Sequence, residues 1–168
     1  VDALDRNAAG GPRFGTTTEQ DVGLDAKFVF NDSMVLDLTL NPDFSQVESD
    51  QPQVTVNERF EVQFPERRPF FVENADFFAT TSTLVFTRRI VDPEGGLRFT
   101  GRSGNYGFGA IMINDEAPGL NRAAGDPLHG EKANIGILRG FRDISDQSRV
   151  GFLVSDRELG DGYNRVAS

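Results

Sequence analysis

The 168-residue chain contains no cysteine and no tryptophan, a single histidine and only two tyrosines. Without cysteine it has no disulfide, no thiolate metal site and no thiol nucleophile. Basic residues are outnumbered, 17 against 26 acidic, and the net charge of −9 gives no support for a nucleic-acid partner held on a basic face. No uninterrupted run of about eighteen apolar residues occurs, so no transmembrane helix is expected. A transmembrane strand needs only about 9 to 11 residues and hides its apolar half in alternation, so a mean hydropathy of −0.38 does not separate a soluble sheet from a membrane barrel. His129, in "GDPLHGEK", falls in a loop by composition and is read as structural or exposed rather than catalytic. The chain begins at Val1 and stops at "GDGYNRVAS", which resembles the start of a strand. It is therefore expected to be part of a longer protein with any secretory leader upstream.

What the chain does have is period-two alternation. From Asp21, Val22, Leu24, Ala26, Phe28 and Phe30 alternate with Gly23, Asp25, Lys27 and Val29; after Asn31-Asp32 the pattern resumes at Met34, Leu36, Leu38 and Leu40. Asn and Asp tolerate the positive φ of a tight turn, so 21–40 is predicted to be an antiparallel hairpin. A second hairpin is predicted through Leu97 and Phe99, a turn at Ser103 to Asn105, and a return through Phe108 to Ile113. A third rises through Ile135, Ile137 and Phe141, turns at Ser145 to Ser148, and returns through Val150, Phe152 and Val154. With a further strand near Thr83 to Arg89 the count is about seven, and about eight is the smallest number that closes a transmembrane barrel. Short turns at one end and long polar connections, such as 114–132, at the other fit an up-and-down barrel. "GRSGNYGFG" lies inside a hairpin pattern and lacks the features of a phosphate-binding loop.

Between the first hairpin and the next strands, 41–83 breaks the alternation. Pro42, Pro52, Pro65 and Pro69 forbid one continuous helix or central strand. Its rings, at Phe60, Phe64, Phe70, Phe71, Phe77 and Phe78, need an apolar place, and its charges need partners wherever they leave water. The segment is therefore expected to fold inward as a plug or constriction, with arginines bridging carboxylates. The expected network comprises Glu48, Asp50, Arg59, Glu66, Arg67, Arg68, Glu73, Arg88 and Arg89.

Three motifs in this order, "LNPDFSQVESD", "NERFEVQFPERRPFFVENADFF" and "FTRRI", resemble a family of unknown function found in outer-membrane proteins of Gram-negative bacteria. In that family the region commonly follows a periplasmic module similar to the family-nine carbohydrate-binding modules. Arg67 stands where the family often has Lys, Asn74 where it often has Gly, and Val62-Gln63 where an extra aromatic is common. The resemblance implies an outer-membrane barrel, with outer-membrane lipid, an upstream carbohydrate-binding-like module and a saccharide ligand as partners. It implies no reaction.

Taken together, the expected fold is all-β: antiparallel up-and-down hairpins, a fragment of an outer-membrane β-barrel with an inward-folded irregular segment. One partial barrel domain spans 1–168, divided into the first hairpin (21–40), the plug (41–83) and further strands (84–157). Candidate catalytic carboxylates are Glu66, Glu73 and Asp76, but neighbouring arginines hold a carboxylate ionised, the wrong direction for a general acid, so ion pairing is preferred. The oxygen-rich runs at Asp43, Glu48 and Asp50 and at Asp156, Glu158 and Asp161 lack EF-hand spacing and are read as turns; no cofactor or metal is expected. The function expected is non-catalytic binding or passage of a saccharide-type envelope substrate. A polysaccharide hydrolase and a soluble β-sandwich adhesion module are the alternatives.

Overall fold

The computed structural model describes residues 22–42 and 66–168, together with the backbone of 2–5 and 13–16. Strands β1 (Asp2–Asp5) and β2 (Arg13–Thr16) form a separate antiparallel pair. The remaining strands make one seven-stranded antiparallel sheet in strict sequence order: β3 (Leu24–Phe30), β4 (Met34–Leu40), β5 (Pro93–Ser103), β6 (Tyr106–Asp115), β7 (Ala133–Ser145), β8 (Ser148–Leu159) and β9 (Gly162–Ala167). The fold is all-β and up-and-down. Among the described residues no helix is long and apolar enough to cross a membrane, a fact that says nothing of strands.

The turns follow from local chemistry. Asn31 and Asp32 both take positive φ, 49° and 53°, the left-handed geometry that matches the twist of the flanking strands and that short polar side chains tolerate. Gly104, at φ 56°, serves β5–β6, and Asp146-Gln147 closes β7–β8. These three turns share one end of the sheet. The other end carries the long connections 41–92 and 116–132, but also a two-residue turn at Gly160-Asp161, so the division into short and long ends is not complete.

One predicted strand is absent. Thr83 to Arg89 is irregular and ends in a 3-10 turn over Thr87–Arg89, because the carbonyl of Thr87 is taken by a side chain rather than a neighbouring strand. The seventh strand is instead β9, which pairs Val154 with Ala167 and Glu158 with Tyr163.

The register sorts every alternate side chain onto one of two faces. One row across the sheet reads Phe28, Leu36, Phe99, Ala110, Leu138, Val154 and Ala167; the row beside it, toward the tight turns, reads Phe30, Met34, Gly101, Phe108, Gly140 and Phe152. These rows, with Met112 beside them, are apolar and open to the surroundings, Met112 being 64%, Leu138 50% and Phe152 49% exposed, and the face turns polar toward the corner away from the tight turns, where Asp156, Glu158 and Arg165 stand. The opposite face carries Lys27, Asp37, Arg98, Thr39, Thr100 and Arg139 among its aliphatic residues, and it is this face that the segment after residue 66 covers. Phe70, Phe71, Phe78 and Ile90 pack there on Ile111, Ile113, Ile137 and Leu153 and form the core. Glycines make the space: a Cβ on Gly109 would meet the Phe78 ring at 2.8 Å, and one on Gly96 the Phe70 ring at 3.1 Å.

Candidate functional site

Pro69 opens a single helical turn, Pro69–Val72, and a 3-10 turn, Ala75–Phe78, follows after Asn74 at φ 54°. The two turns aim Phe70, Phe71 and Phe78 at the sheet; Phe70 and Phe71 meet edge to face, centroids 5.2 Å apart. Short turns leave backbone groups without ladder partners, and two buried arginines satisfy them.

Arg68, 2% exposed, is the first. Its Nε donates to Glu66 Oε1 at 2.9 Å, and one terminal nitrogen donates to Glu66 Oε2 and to the Thr87 carbonyl, both at 2.8 Å. The other terminal nitrogen donates to the Ile90 carbonyl, and the guanidinium lies 4.3 Å from the centroid of the Phe71 ring. The arginine thus staples the start of the segment to its end. Glu66 also accepts from the backbone N–H groups of Arg67 and Arg68, at 3.0 and 3.1 Å, and from the Thr87 hydroxyl at 2.6 Å. Burial pushes the Glu66 carboxyl up, but the bonds from Arg68 and Thr87 outweigh it and hold the group down at about 2.

Arg98, on β5, is the second and binds the segment to the sheet. It lies directly across from Asp37 on β4, donating to Asp37 Oδ2 at 3.1 and 2.7 Å. A terminal nitrogen also donates to the carbonyls of Phe70 and Glu73, and the other reaches Glu73 Oε2 at 3.4 Å. Lys27, across from Asp37 on β3, donates to Glu73 and lies 3.7 Å from Asp37. The Lys27 hydrogen bond lowers the Glu73 carboxyl below its ordinary range. Fully buried Asp115 completes the attachment by accepting from the N–H groups of Val91 and Asp92, at 3.3 and 2.8 Å.

Of the predicted network, the structure brings Glu66 together with Arg68, and Glu73 with Arg98. Arg67 and Asp76 are exposed, Arg88 is half-buried, and Arg89 lies 5.8 Å from the Phe86 ring centroid. Glu48, Asp50 and Arg59 lie outside the described residues, as does Asp43. Asp37, Arg98, Asp115 and Lys27 were not anticipated. For Lys27, Asp37 and Arg98 the signal is a charge flanked by two apolar residues within a strand, as in Leu36-Asp37-Leu38 and Leu97-Arg98-Phe99; Asp115, between Asn114 and Glu116, carries no such signal.

Chemically, a carboxylate that accepts five hydrogen bonds and titrates at about 2 has no proton to give near neutral pH, so Glu66 is built for structure. Glu73 is likewise held by two cations. Asp156 and Glu158 pair with Arg165 at 3.0 and 2.9 Å, and among the described residues no cluster of three or more His, Asp or Glu is arranged to hold a metal ion. His129 is exposed, its Nδ1 2.8 Å from the Arg122 carbonyl.

The sequence model of a family described as a domain of unknown function (DUF5916) matches residues 6–99, more than half of the chain. The chain belongs to the DUF5916 family. No curated protein and no solved structure matches it. The DUF5916 match takes in Asp37, Glu66, Arg68, Glu73 and Arg98, and so both arginine clamps, while Asp115 and strands β6 to β9 lie beyond it.

Proposed function

We propose that the sheet is a section of the wall of an outer-membrane β-barrel of a Gram-negative bacterium. Its open face lies against lipid, the phenylalanine and arginine segment narrows the lumen, and the protein binds or passes a saccharide-type envelope substrate without transforming it. The observation that carries this is the inverted polarity of the two faces: charge and hydrogen-bonding groups lie under the covering segment, and the continuous apolar rows are uncovered. Soluble monomers rarely leave a contiguous apolar surface of this kind, whereas a barrel needs one. From Leu24 to Phe30 the band runs about 20 Å along the strand at ~3.4 Å per residue, close to the roughly 25 Å of a barrel's apolar belt.

The two tyrosines support the same reading. Tyr106 and Tyr163 both project from the open face, one at each border of the band, each beneath an arginine: Arg142 at 5.3 Å and Arg165 at 4.7 Å from the ring centroids. An amphipathic ring under a cation suits the headgroup level. The saccharide part of the proposal rests on the resemblance to proteins in which this region follows a carbohydrate-binding-like module. Against hydrolysis stand Glu66 and Glu73, both held ionised.

The test is conductance of the intact protein in planar bilayers. Arg68→Ala releases the segment from its own far end and is expected to raise conductance while the barrel still inserts. A protein that is monodisperse in plain buffer, or whose conductance is unchanged by Arg68→Ala, contradicts the proposal.

A further inference from the structure

On the covered face, near the three tight turns, lies a second group of charges that the clamps do not use. Phe141 on β7 is buried with the tip of its ring over Gly107 of β6, where a Cβ would collide with it. Three guanidinium groups surround that ring: Arg149 at 4.1 Å from the centroid, Arg102 at 5.4 Å and Arg139 at 5.9 Å. One carboxylate, Asp143, serves two of the three, accepting from Arg149 Nε at 2.6 Å and from Arg102 at 2.9 Å. Arg139 Nε is enclosed and makes no hydrogen bond, and burial first, then the charge of Arg149, lowers its pKa. Beside this group opens a cavity of about 650 Å³ lined by Arg102, Asn105, Asp143, Arg149 and the β7–β8 turn, including Asp146.

Like charges gathered around a ring repel unless something compensates them, and the ring face compensates only in part. A fork of N–H donors with spare capacity, next to an open polar cavity, matches the geometry of a carboxylate or phosphate group. We propose that Arg102 and Arg149, held against Phe141 at the edge of this cavity, form a binding site for an oxyanion-bearing ligand, with Asp143 occupying it as an internal competitor when no ligand is bound and Arg139, enclosed behind the ring, adding positive charge without touching the ligand. Phe141 is the platform that fixes the guanidinium planes. The site goes beyond the membrane reading and does not depend on it, because the cluster lies on the face opposite the apolar band.

Calorimetric titration of the intact protein in detergent micelles with inorganic phosphate, glucuronate and glucose tests it. Saturable heat with phosphate, glucuronate or both, and none with glucose, is expected; which anion binds more tightly identifies the ligand as phosphate-bearing or carboxylate-bearing. Arg149→Gln should weaken binding by about tenfold or more, and Asp143→Asn, which removes the competitor, should tighten it. Absence of binding by both anions, equal binding of glucose, or an Arg149→Gln affinity equal to that of the unmodified protein overturns the proposal. If Arg149→Gln does not fold, Asp143→Asn decides alone: tighter binding supports the site, and unchanged or weaker binding overturns it.

Discussion

Glu66 shows how one side chain can fasten an irregular segment. Every lone pair it offers is used by Arg67, Arg68 or Thr87, and the cost of burying the carboxylate is offset by those bonds. Because its pKa is depressed to about 2 in the folded protein, from 4.5 ordinarily, its contribution is present above about pH 4.5 and is lost as the pH falls toward 2. The difference is worth on the order of 3 kcal/mol. Thermal unfolding followed from pH 6 to pH 2.5 should therefore show a steeper decline in the unmodified protein than in Glu66→Gln, which starts less stable and keeps only the decline due to other carboxylates such as Glu73. Parallel declines in the two proteins would count against this role. The pairing of Glu66 with an arginine was legible in the sequence because the two residues are neighbours in "PERRPF". The pairing of Asp37 with Arg98 was not, since it depends on a strand register set between residues 61 positions apart.

At the level of elements, the hairpins were the legible part. Alternation and turn chemistry act within ten residues, and the turns at Asn31-Asp32, Gly104-Asn105 and Asp146-Gln147 lie inside the predicted ones. The strand expected at Thr83 to Arg89 failed because its apolar run, Leu84-Val85-Phe86, is short and its backbone is bonded to Arg68 instead of a partner strand. The covering segment is attached to the sheet chiefly through Arg98, so removing that residue takes both hydrogen bonds from buried Asp37 and leaves it only the longer ion pair with Lys27, at 3.7 Å. Arg98→Met is expected to destabilise the protein by about 3 to 5 kcal/mol, and Asp37→Leu combined with Arg98→Met by less than Arg98→Met alone. Denaturant unfolding of the two single variants and the double variant measures this directly. Additive costs would mean that the pair is not coupled.

Across the whole molecule the organising feature is the sidedness of the sheet. The sequence made the alternation visible but not what lay on each side of it, because periodicity alone does not say which face a 41–83 segment will cover. The fold places the rings and ions of residues 66–92 on the charged face and leaves the aliphatic rows open, with a tyrosine and an arginine at each border. The chain has no tryptophan, so a single introduced one reports its own surroundings without background. The decisive measurement is fluorescence quenching of Leu138→Trp, on the open face, and Ser155→Trp, on the covered face, in vesicles whose lipids carry bromine near the middle of the acyl chains. Strong quenching of Leu138→Trp and little of Ser155→Trp is expected; quenching of Leu138→Trp no greater than that of Ser155→Trp would contradict a lipid-facing open side.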